Sequence, residues 1–492
     1  MRLARRSRTL AALGLTVVVA GLGVTAGLVS PRAAVLSPVG VVTIDVSRST
    51  HSLGPDFFGI DSVGYYDAHQ DSAGSALALT QTPIRLVRFP GGAPGDYYDW
   101  RYPYDRGWST TSPLNLWNYA RKLGRNAHVL FQTNVQGHTP AAHKGIPAVN
   151  SAASVAGWVR QNKAQGIAAA MEVGNEEDKL MHSVHDPVFA SYIKTFDIQA
   201  AAMHKASPGV KVYGPASTNS YYWLHLDSLG MFLEATGNRY GSHQVDGVSL
   251  HYYTGHDWND ALGAAQGWLG PNGLYAHIQQ TISFYDTRAL PVDISEWNLG
   301  NSDFHNAFTP TLGHALLTAD MVGAFAQSGV ASEQYFDIHG SAGWGLFYGD
   351  KEPRPLDSPT PTYFAMALWQ HMGRQMLGVS ATDDPASVTS VYASRYLDGR
   401  VTLLAINKLK APRTIQVTFK GYNPRGKIVR VYDLRPLKGN GVTSLDALYD
   451  GAKTPNPTRR LPGPRIIGRV SGASFAYTLP AYSATVFELA SR

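Results

Sequence analysis

Short apolar runs alternate with longer amphipathic stretches over roughly residues 57–340 of the chain. Eight of these runs have the length and the β-branched and aromatic content of β-strands. They are FFGID (57–61), IRLVRFPGG (84–92), AHVLFQTNV (127–135), AAAMEVGNE (168–176), VKVYGPAS (210–217), VDGVSLHYY (245–253), LPVDISEWN (290–298) and SEQYFDIHG (332–340). Amphipathic stretches typical of helices lie between several of them, for example at 154–166 and 187–206. Alternating strands and helices predict a parallel sheet, and eight repeats predict an α/β fold in which the sheet closes into a (β/α)8 TIM barrel.

Polar and aromatic residues follow these apolar runs rather than precede them. The endings read RFPGG (88–92), GNEED (174–178), SLHYYTGH (249–256), SEWN (295–298) and DIHGSAGW (337–344). In a (β/α)8 barrel the C-terminal ends of all strands form one face, and active sites are built there. The one-sided polarity therefore predicts a functional site at that face.

From about residue 375 the pattern changes to short alternating segments separated by turn residues. Examples are RVTLLAINK (400–408), RTIQVTFK (413–420), KIVRVYDL (427–434) and ATVFELA (484–490). This pattern predicts a C-terminal β-sandwich over 376–492, following a catalytic barrel over 51–375. The segment 31–50 contains a strand-like run, VVTIDVS (41–47), which we expect to complete the same sandwich.

The first 30 residues have the character of an export signal. A basic start, MRLARRSRTL, precedes a nearly uncharged apolar run from Leu10 to Val29. Such a run is typical of a signal peptide and is about long enough to remain as a membrane anchor. We therefore expect a secreted or cell-envelope-associated protein. The chain has no cysteine, which excludes disulfides, thiol nucleophiles and cysteine-ligated metals.

The formal net charge of +6 hides an uneven distribution along the chain. Residues 391–492 hold 17 Lys or Arg against 5 Asp or Glu, and residues 1–38 hold five Arg and no acid, which leaves −11 for residues 39–390. The densest basic stretch contains Lys408, Lys410, Arg413, Lys420, Arg425, Lys427, Arg430 and Arg435. Two interpretations remain open: this face docks on the acidic barrel, or it contacts an anionic polymer such as acidic polysaccharide or cell-envelope phosphate. No nucleic-acid-binding motif is present, so no nucleic-acid partner is expected.

Two glutamates stand at predicted strand ends, Glu176 at the fourth run and Glu296 at the seventh. Cleavage of a glycosidic bond needs one carboxyl group that protonates the leaving oxygen and a second that acts at the anomeric carbon, roughly 5–5.5 Å apart in a retaining enzyme. Strands four and seven lie on opposite sides of a barrel mouth, so their carboxyl groups can flank one bond. The pattern predicts Glu296 as nucleophile and Glu176 as acid/base, with the pKa of Glu176 raised by burial and by the neighbouring carboxylate. The adjacent Glu177 competes for the acid/base role.

Further residues at the strand ends are expected to support the two glutamates. Arg88 can hold Glu296 ionised, and Asn175 can hydrogen-bond the sugar 2-hydroxyl. His251 and Tyr253, two residues apart on the sixth run, can point into the same cavity. Flat aromatic faces for sugar rings are offered by Tyr98, Trp100, Trp297 and Trp344.

Metal binding is the alternative chemistry for the histidines. The pairs His182/His185 and His251/His256 have short spacings, but neither forms the H-E-x-x-H pair of a helical zinc site. Exposed loop positions or sugar contacts explain these histidines more simply. We expect neither a metal nor a cofactor.

These motifs resemble clan A of the glycoside hydrolases, retaining enzymes whose acid/base lies on strand four and whose nucleophile lies on strand seven. Within the clan, LVRFPGGAPGDYYDWR, EVGNEED, SLHYY and ISEWN resemble the α-L-arabinofuranosidase family. The resemblance spans nearly the whole chain after the leader, including a C-terminal sandwich that ends in YTLPAYSATVFEL. It implies functional roles for Asn175, Glu176, His251, Tyr253 and Glu296.

Two positions depart from that family. It has Asn directly after the strand-two Pro-Gly-Gly, where this chain has Ala93, and a substrate-gripping Glu at strand one, where the nearest candidate is Asp61. Both family residues hold the furanose ring. The heparanase and β-glucuronidase family, the xylosidase and iduronidase family and the endoglucanases of the clan therefore remain alternatives. A catalytically silent carbohydrate-binding barrel is the alternative from a different class.

Overall fold

The computed structural model describes residues 39–61, 69, 72–93, 95, 98–101, 127–135, 150–180, 187–218, 222–300, 307–340, 343–349, 354–437, 440–455 and 460–491. The predicted export signal at 1–30 and the pair His182/His185 lie outside these residues. None of the helices within the described ranges combines the length and the apolar character that a membrane span requires.

The described chain begins with one long strand, β1 (Gly40–Ser52), and then enters a closed barrel of eight strands. The barrel strands are β2 (Phe58–Asp61), β3 (Leu86–Phe89), β4 (His128–Thr133), β5 (Ala168–Val173), β6 (Val212–Ser217), β7 (Gly247–Thr254), β8 (Val292–Leu299) and β9 (Ser332–Tyr335). Each strand pairs in parallel with the next, and β9 closes the barrel by pairing with β2. Every strand coincides with one of the eight apolar runs, so the predicted TIM barrel is confirmed.

Helices cover the outside of the barrel. They are α1 (Ala73–Gln81), α2 (Ala152–Gln165), α3 (Pro187–Ala206), α4 (Tyr222–Thr236), α5 (Trp258–Ala261), α6 (Ala264–Leu269), α7 (Leu274–Tyr285), α8 (Leu312–Ser328) and α9 (Pro361–Trp369). Local sequence sets the ends of several helices. The side chain of Ser151 accepts a hydrogen bond from the backbone N–H of Ser154 at the start of α2, and Gly166 ends that helix with a left-handed φ of 65°.

The remaining strands form the sandwich and one small parallel pair, β10 with β11. They are β10 (His339–Gly340), β11 (Phe347–Tyr348), β12 (Gln375–Ala381), β13 (Thr389–Arg395), β14 (Val401–Asn407), β15 (Arg413–Lys420), β16 (Ile428–Pro436), β17 (Ala447–Tyr449), β18 (Ala452–Lys453), β19 (Arg465–Arg469), β20 (Ser474–Leu479) and β21 (Ser483–Ala490). The strand β1 pairs antiparallel with β12 and parallel with β15 within an 11-stranded sheet. The two ends of the described chain therefore meet in one sheet, whose apolar core includes Ile44, Val417 and Phe487.

The basic C-terminal region neutralises part of its charge internally. Arg413 pairs with Asp383, and Arg430 pairs with Glu488 at 2.7 Å. Lys408 instead pairs with the barrel, because its buried ammonium group lies 2.7 Å from Asp320 of α8. Docking on the barrel thus accounts for Lys408, while Lys410, Lys420 and Arg425 are exposed.

Candidate active site

The two predicted glutamates face each other across the mouth of the barrel. One carboxylate oxygen of Glu176, one of Glu296 and one ring nitrogen of His251 all lie within 4.8 Å of one another. Glu176 is 8% exposed and Glu296 is 7% exposed, so both carboxyl groups are buried but reachable. Two carboxyl groups that approach this closely can act on one anomeric centre by double displacement, for which a separation of roughly 5–5.5 Å is typical.

A tight backbone turn beyond β5 positions Glu176. Gly174 has a φ of 82°, and Glu176 itself has a φ of 53°, in the left-handed region that is costly for a non-glycine residue. The backbone N–H of Glu176 donates to the carbonyl of Ala216 on β6 at 2.9 Å, which holds this conformation. A Cβ at position 174 would lie 3.0 Å from atoms of both Tyr192 and Val135, so only glycine fits this turn.

Arg88 organises the polar groups of the mouth. Its side chain is fully buried on β3, where Nε donates to Glu172 at 2.7 Å. Its Nη1 donates to Asp61 at 3.1 Å and to Glu296 at 2.9 Å. Burial opposes the charged form, but the charges of Glu172, Asp61 and Glu296 outweigh it and hold the pKa of Arg88 well above its ordinary value. The guanidinium therefore stays charged and fixes the orientation of the Glu296 carboxylate.

Asn175 and His251 complete the shell around Arg88. The Nη2 group donates to the carbonyl oxygen of Asn175 at 2.9 Å and lies 3.3 Å from Nε2 of His251. Because a guanidinium can only donate, Nε2 of His251 must accept, and the ring proton is therefore on Nδ1. That Nδ1–H donates to Glu176 at 2.9 Å, so a single chain of hydrogen bonds links Arg88 to the acid/base candidate.

Tyr253 holds the second oxygen of Glu296. Its hydroxyl donates to Oε1 of Glu296, opposite the oxygen that Arg88 contacts. Burial and the charge of Glu296 raise the pKa of Tyr253 well above its ordinary value. The phenol therefore remains a hydrogen-bond donor throughout the working pH range.

Lys179 is a site residue that the sequence did not reveal. It lies on a short 3-10 helix, Glu177–Leu180, and its ammonium group donates to Oε2 of Glu176. Burial raises the pKa of Glu176, but the hydrogen bond from His251 and the positive charge and hydrogen bond of Lys179 outweigh burial and lower the pKa to about 2. The prediction of a raised pKa for Glu176 is therefore wrong for this arrangement, because it included burial and Glu296 but neither the hydrogen bond from His251 nor the ammonium group of Lys179.

Glu172 is the second residue that the sequence analysis missed. Its carboxylate is fully buried and accepts from Nε of Arg88. A signal for it was present, because Met171 and Val173 are apolar and alternate side chains of a strand point to opposite faces. Glu172 therefore had to point into the barrel, where a buried carboxylate needs a cation.

The structure contradicts the predicted role of Trp297 as a face for sugar rings. Trp297 is fully buried outside the barrel, where its ring packs edge-on against Phe325 of α8 and its Nε1 donates to Glu333. The physical reason is strand alternation: because Glu296 points inward, its neighbour must point outward toward the helices.

The other predicted aromatic residues differ in their distance from the glutamates. Trp100 stacks on Trp158 of α2, with ring centroids 6.3 Å apart, and Tyr98 packs against the same helix residue at 5.7 Å. Trp344 contacts the site directly, since its ring lies 5.6 Å from that of Tyr253. Trp344 thus packs against Tyr253, the residue whose hydroxyl donates to Glu296.

Two alternative interpretations of the barrel mouth remain. One is a metal site, and the other assigns the acid/base role to Glu177 instead of Glu176. The close group comprises Glu176, His251 and Glu296; Glu177 is not part of it, and His256 is exposed. The distances within the group would suit a metal ion. However, the carboxylates already accept from Arg88 and Lys179, whose positive charges oppose a further cation.

Comparisons with known proteins place this fold among glycoside hydrolases. No protein-family profile and no curated protein matches the sequence. Among solved structures, a Paenibacillus polymyxa xyloglucanase of glycoside hydrolase family 44 is 12% identical with a TM-score of 0.66, covering 92% of this chain and 100% of its own. An arabinofuranosidase of family 51 from Xanthomonas axonopodis pv. citri is 17% identical with a TM-score of 0.66, covering 92% of this chain and 99% of its own. An α-L-arabinofuranosidase from Thermotoga maritima is 14% identical with a TM-score of 0.64, covering 91% of this chain and 99% of its own.

These likenesses concern the fold. Families 44 and 51 both belong to clan A, and the chain shares with these solved structures the fold of a TIM barrel with an accessory β-sandwich. The predicted resemblance to that clan is confirmed at the level of the fold, and the roles of individual residues rest on the geometry described above.

Proposed function

We propose that the chain is a retaining glycoside hydrolase in which Glu296 is the nucleophile and Glu176 the acid/base. The observation that carries this proposal is the approach of the two carboxylates to within 4.8 Å across the barrel mouth. At that separation one anomeric carbon fits between them and no room is left for an intervening nucleophilic water. The solved structures of similar fold are described as glycosidases, which supports the same reaction class.

In the first step, an ionised oxygen of Glu296 attacks the anomeric carbon while the bond to the glycosidic oxygen breaks. The proton on Glu176 passes to that oxygen, and the leaving group departs as a neutral alcohol. Arg88 and Tyr253 each hold one oxygen of Glu296, which keeps the nucleophile ionised and aimed. The product of this step is a glycosyl ester on Glu296.

In the second step, the carboxylate of Glu176 takes a proton from water, and the water oxygen attacks the anomeric carbon. The ester bond breaks and returns the electron pair to Glu296, so the anomeric configuration is inverted twice and retained overall. The arrangement seen here suits this second step, because Lys179 and His251 stabilise Glu176 as a carboxylate.

The first step requires Glu176 to carry a proton, so the contact with Lys179 must open when substrate binds. The side chain of Lys179 is 53% exposed and can move into solvent without disturbing the core. Asn175 stays fixed meanwhile, since its carbonyl oxygen accepts from Arg88. Its amide N–H groups then remain to donate to the sugar 2-hydroxyl, as the resemblance to the family implies.

The proposed substrate is a poly- or oligosaccharide, with arabinofuranosides first among the candidates. Asp61 accepts from Arg88 deep in the site, and Ala93 lacks the amide of the family, so xyloglucan-type and uronide substrates stay as alternatives. We further propose that the protein is secreted or associated with the cell envelope, because residues 1–30 have the sequence pattern of an export signal.

A panel of nitrophenyl furanosides, pyranosides and uronides, together with xyloglucan and arabinan, tests this function. We expect turnover of at least one class, loss of that turnover in Glu296→Ala, and full activity in the matched control Glu234→Ala, whose carboxyl group is exposed on α4. Sugar binding without turnover of any substrate would instead identify a silent carbohydrate-binding barrel.

A further inference from the structure

A second cavity, of about 490 Å³, lies at the end of the barrel opposite to the glutamates. It forms where the first residues of β2 and β3 meet the sandwich strands β12 and β13. The barrel contributes Phe58 and Arg85, and the sandwich side contributes Arg374 and Arg395. Arg85 precedes Arg88 by three residues on the same segment, so about 10 Å of strand separates this cavity from the catalytic network.

Three partly buried arginines line this cavity. Arg374 donates to the carbonyl of Gly54, and Arg395 donates through both Nε and Nη2 to the side-chain oxygen of Gln375, at 2.9 and 2.5 Å. The guanidinium of Arg85 has no hydrogen-bond partner in the described part of the chain. Within the same residues, none of the three arginines forms an ion pair with a carboxylate.

The acidic groups near the cavity already have other partners. Asp398 lines the rim but pairs with Arg400 at 2.8 Å, outside the cavity. Asp56 lies nearby and contacts Nδ1 of His128 at 2.8 Å. These two carboxylates therefore contact Arg400 and His128 rather than the three arginines of the cavity.

The arginines also influence one another. Burial and the neighbouring charge of Arg85 lower the pKa of Arg374, and Asp56 opposes this effect only as the smallest contribution. Like charges held together in a partly enclosed space repel each other, and a bound anion would relieve that repulsion.

We propose that this cavity binds a carboxylate-bearing sugar unit, such as a uronate residue of an acidic polysaccharide. The planar fork of an arginine matches a carboxylate in two parallel hydrogen bonds, and the guanidinium of Arg85 is free to form them beside the charges of Arg374 and Arg395. The cavity is also lined by apolar and aromatic side chains, including Met372 and Tyr396, which can pack against the C–H face of a sugar ring. Its volume lies in the range of small-ligand sites, about 300–1,000 Å³.

This site would anchor the protein on an anionic glycan while the other end of the barrel remains open to its own substrate. It includes one arginine of the basic C-terminal region, Arg395, and Arg374, which directly precedes the sandwich strand β12. The proposal does not depend on the identity of the hydrolysed bond.

Calorimetric titration of the full chain with trigalacturonate tests this site, with galactotriose and inorganic phosphate as comparison ligands. The variant Arg85→Gln removes a guanidinium that makes no hydrogen bond among the described residues, and Arg425→Gln is a matched control at an exposed arginine. We expect saturable binding of trigalacturonate that weakens at least tenfold in Arg85→Gln, is unchanged in Arg425→Gln, and falls with added NaCl. Arg395→Gln should weaken binding in the same way if Arg85→Gln does not fold.

Activity on the nitrophenyl substrates should stay unchanged in Arg85→Gln, which separates this site from the catalytic one. Absence of saturable binding, equal binding of galactotriose, equal binding of phosphate, or the same affinity in Arg85→Gln and Arg425→Gln would each overturn the assignment.

Discussion

The two ends of the barrel place arginines of one strand segment in opposite electrostatic settings. At the C-terminal end, Arg88 is fully buried and shared by Asp61, Glu172 and Glu296. At the N-terminal end, Arg85 borders a cavity and has no carboxylate partner in the part of the chain that is described. The paired arginine is built into the catalytic framework, whereas the unpaired one is available to an external anion. An arginine thus has a structural role at one end of the barrel, in Arg88, and in our proposal a binding role at the other end, in Arg85.

The largest difference between the two ends should appear on removal of the nucleophile. Glu296→Ala is expected to lower kcat/KM on the order of 10⁴-fold or more, because the covalent step loses its nucleophile. Arg85→Gln should leave kcat/KM unchanged on the same substrate. Steady-state kinetics on the two purified variants measures both effects, and comparable losses in both would remove the functional distinction between the ends.

Removal of the acid/base should depend on the leaving group. Glu176→Ala is expected to lose about 10²–10⁴-fold on substrates with poor leaving groups, since these need protonation, and much less on dinitrophenyl glycosides. Added azide should restore turnover of the dinitrophenyl glycosides by attacking the glycosyl ester without a general base.

Glu177→Ala is the control for this prediction. It removes a carboxyl group that is adjacent in sequence but does not belong to the close group of Glu176, His251 and Glu296. If Glu177→Ala shows the leaving-group dependence and the azide effect while Glu176→Ala does not, the acid/base role belongs to Glu177.

Stability should distinguish the paired arginine from the unpaired one. Arg88→Met leaves three buried carboxylates without their cation, and breaking such a buried ion pair costs about 3–5 kcal/mol of unfolding free energy. Arg85→Gln should change that free energy by no more than about 0.5 kcal/mol, as is usual for sites without buried partners. Urea denaturation of the two variants compares them, and an equal loss of stability would mean that Arg85 is also built into the fold.

The smallest predicted effect is a change in the pH dependence of kcat/KM, and it concerns the end of the barrel that carries the two glutamates. Lys179 favours the carboxylate form of Glu176 and lowers its pKa, so Lys179→Met should raise that pKa. Because the first step needs the protonated form, the alkaline limb of the kcat/KM profile should move to higher pH in Lys179→Met. Lys194→Met, at an exposed position on α3, should keep the wild-type profile. A shift of the limb to lower pH would contradict the assigned role of Lys179.

The positions of the barrel strands could be predicted from the sequence. Each barrel strand is buried on both faces, so its residues form a continuous apolar run. All eight runs became strands, and the polar endings lie at the barrel mouth around Arg88, Asn175, His251 and Glu296. The local pattern was sufficient here because a closed barrel brings all its strand ends to one face.

The wrong and missing predictions concern residues whose role depends on the direction of a side chain or on a contact formed only in the folded protein. Trp297 was placed with the sugar-binding residues although the alternation that turns Glu296 inward turns its neighbour outward. Lys179 could not be recognised, because its contact with Glu176 depends on a 3-10 turn that follows a left-handed residue. The cationic cavity combines residues nearly 300 positions apart, Arg85 with Arg374, and no local pattern indicates that they meet.

The anomeric configuration of the first-formed product tests the central claim most directly. Proton NMR can follow hydrolysis of whichever nitrophenyl glycoside the substrate panel identifies, before mutarotation obscures the result. Carboxyl groups as close as those of Glu176 and Glu296 predict a product with the configuration of the substrate. A first product of inverted configuration would contradict the account, because inversion requires a water molecule between carboxyl groups that lie farther apart.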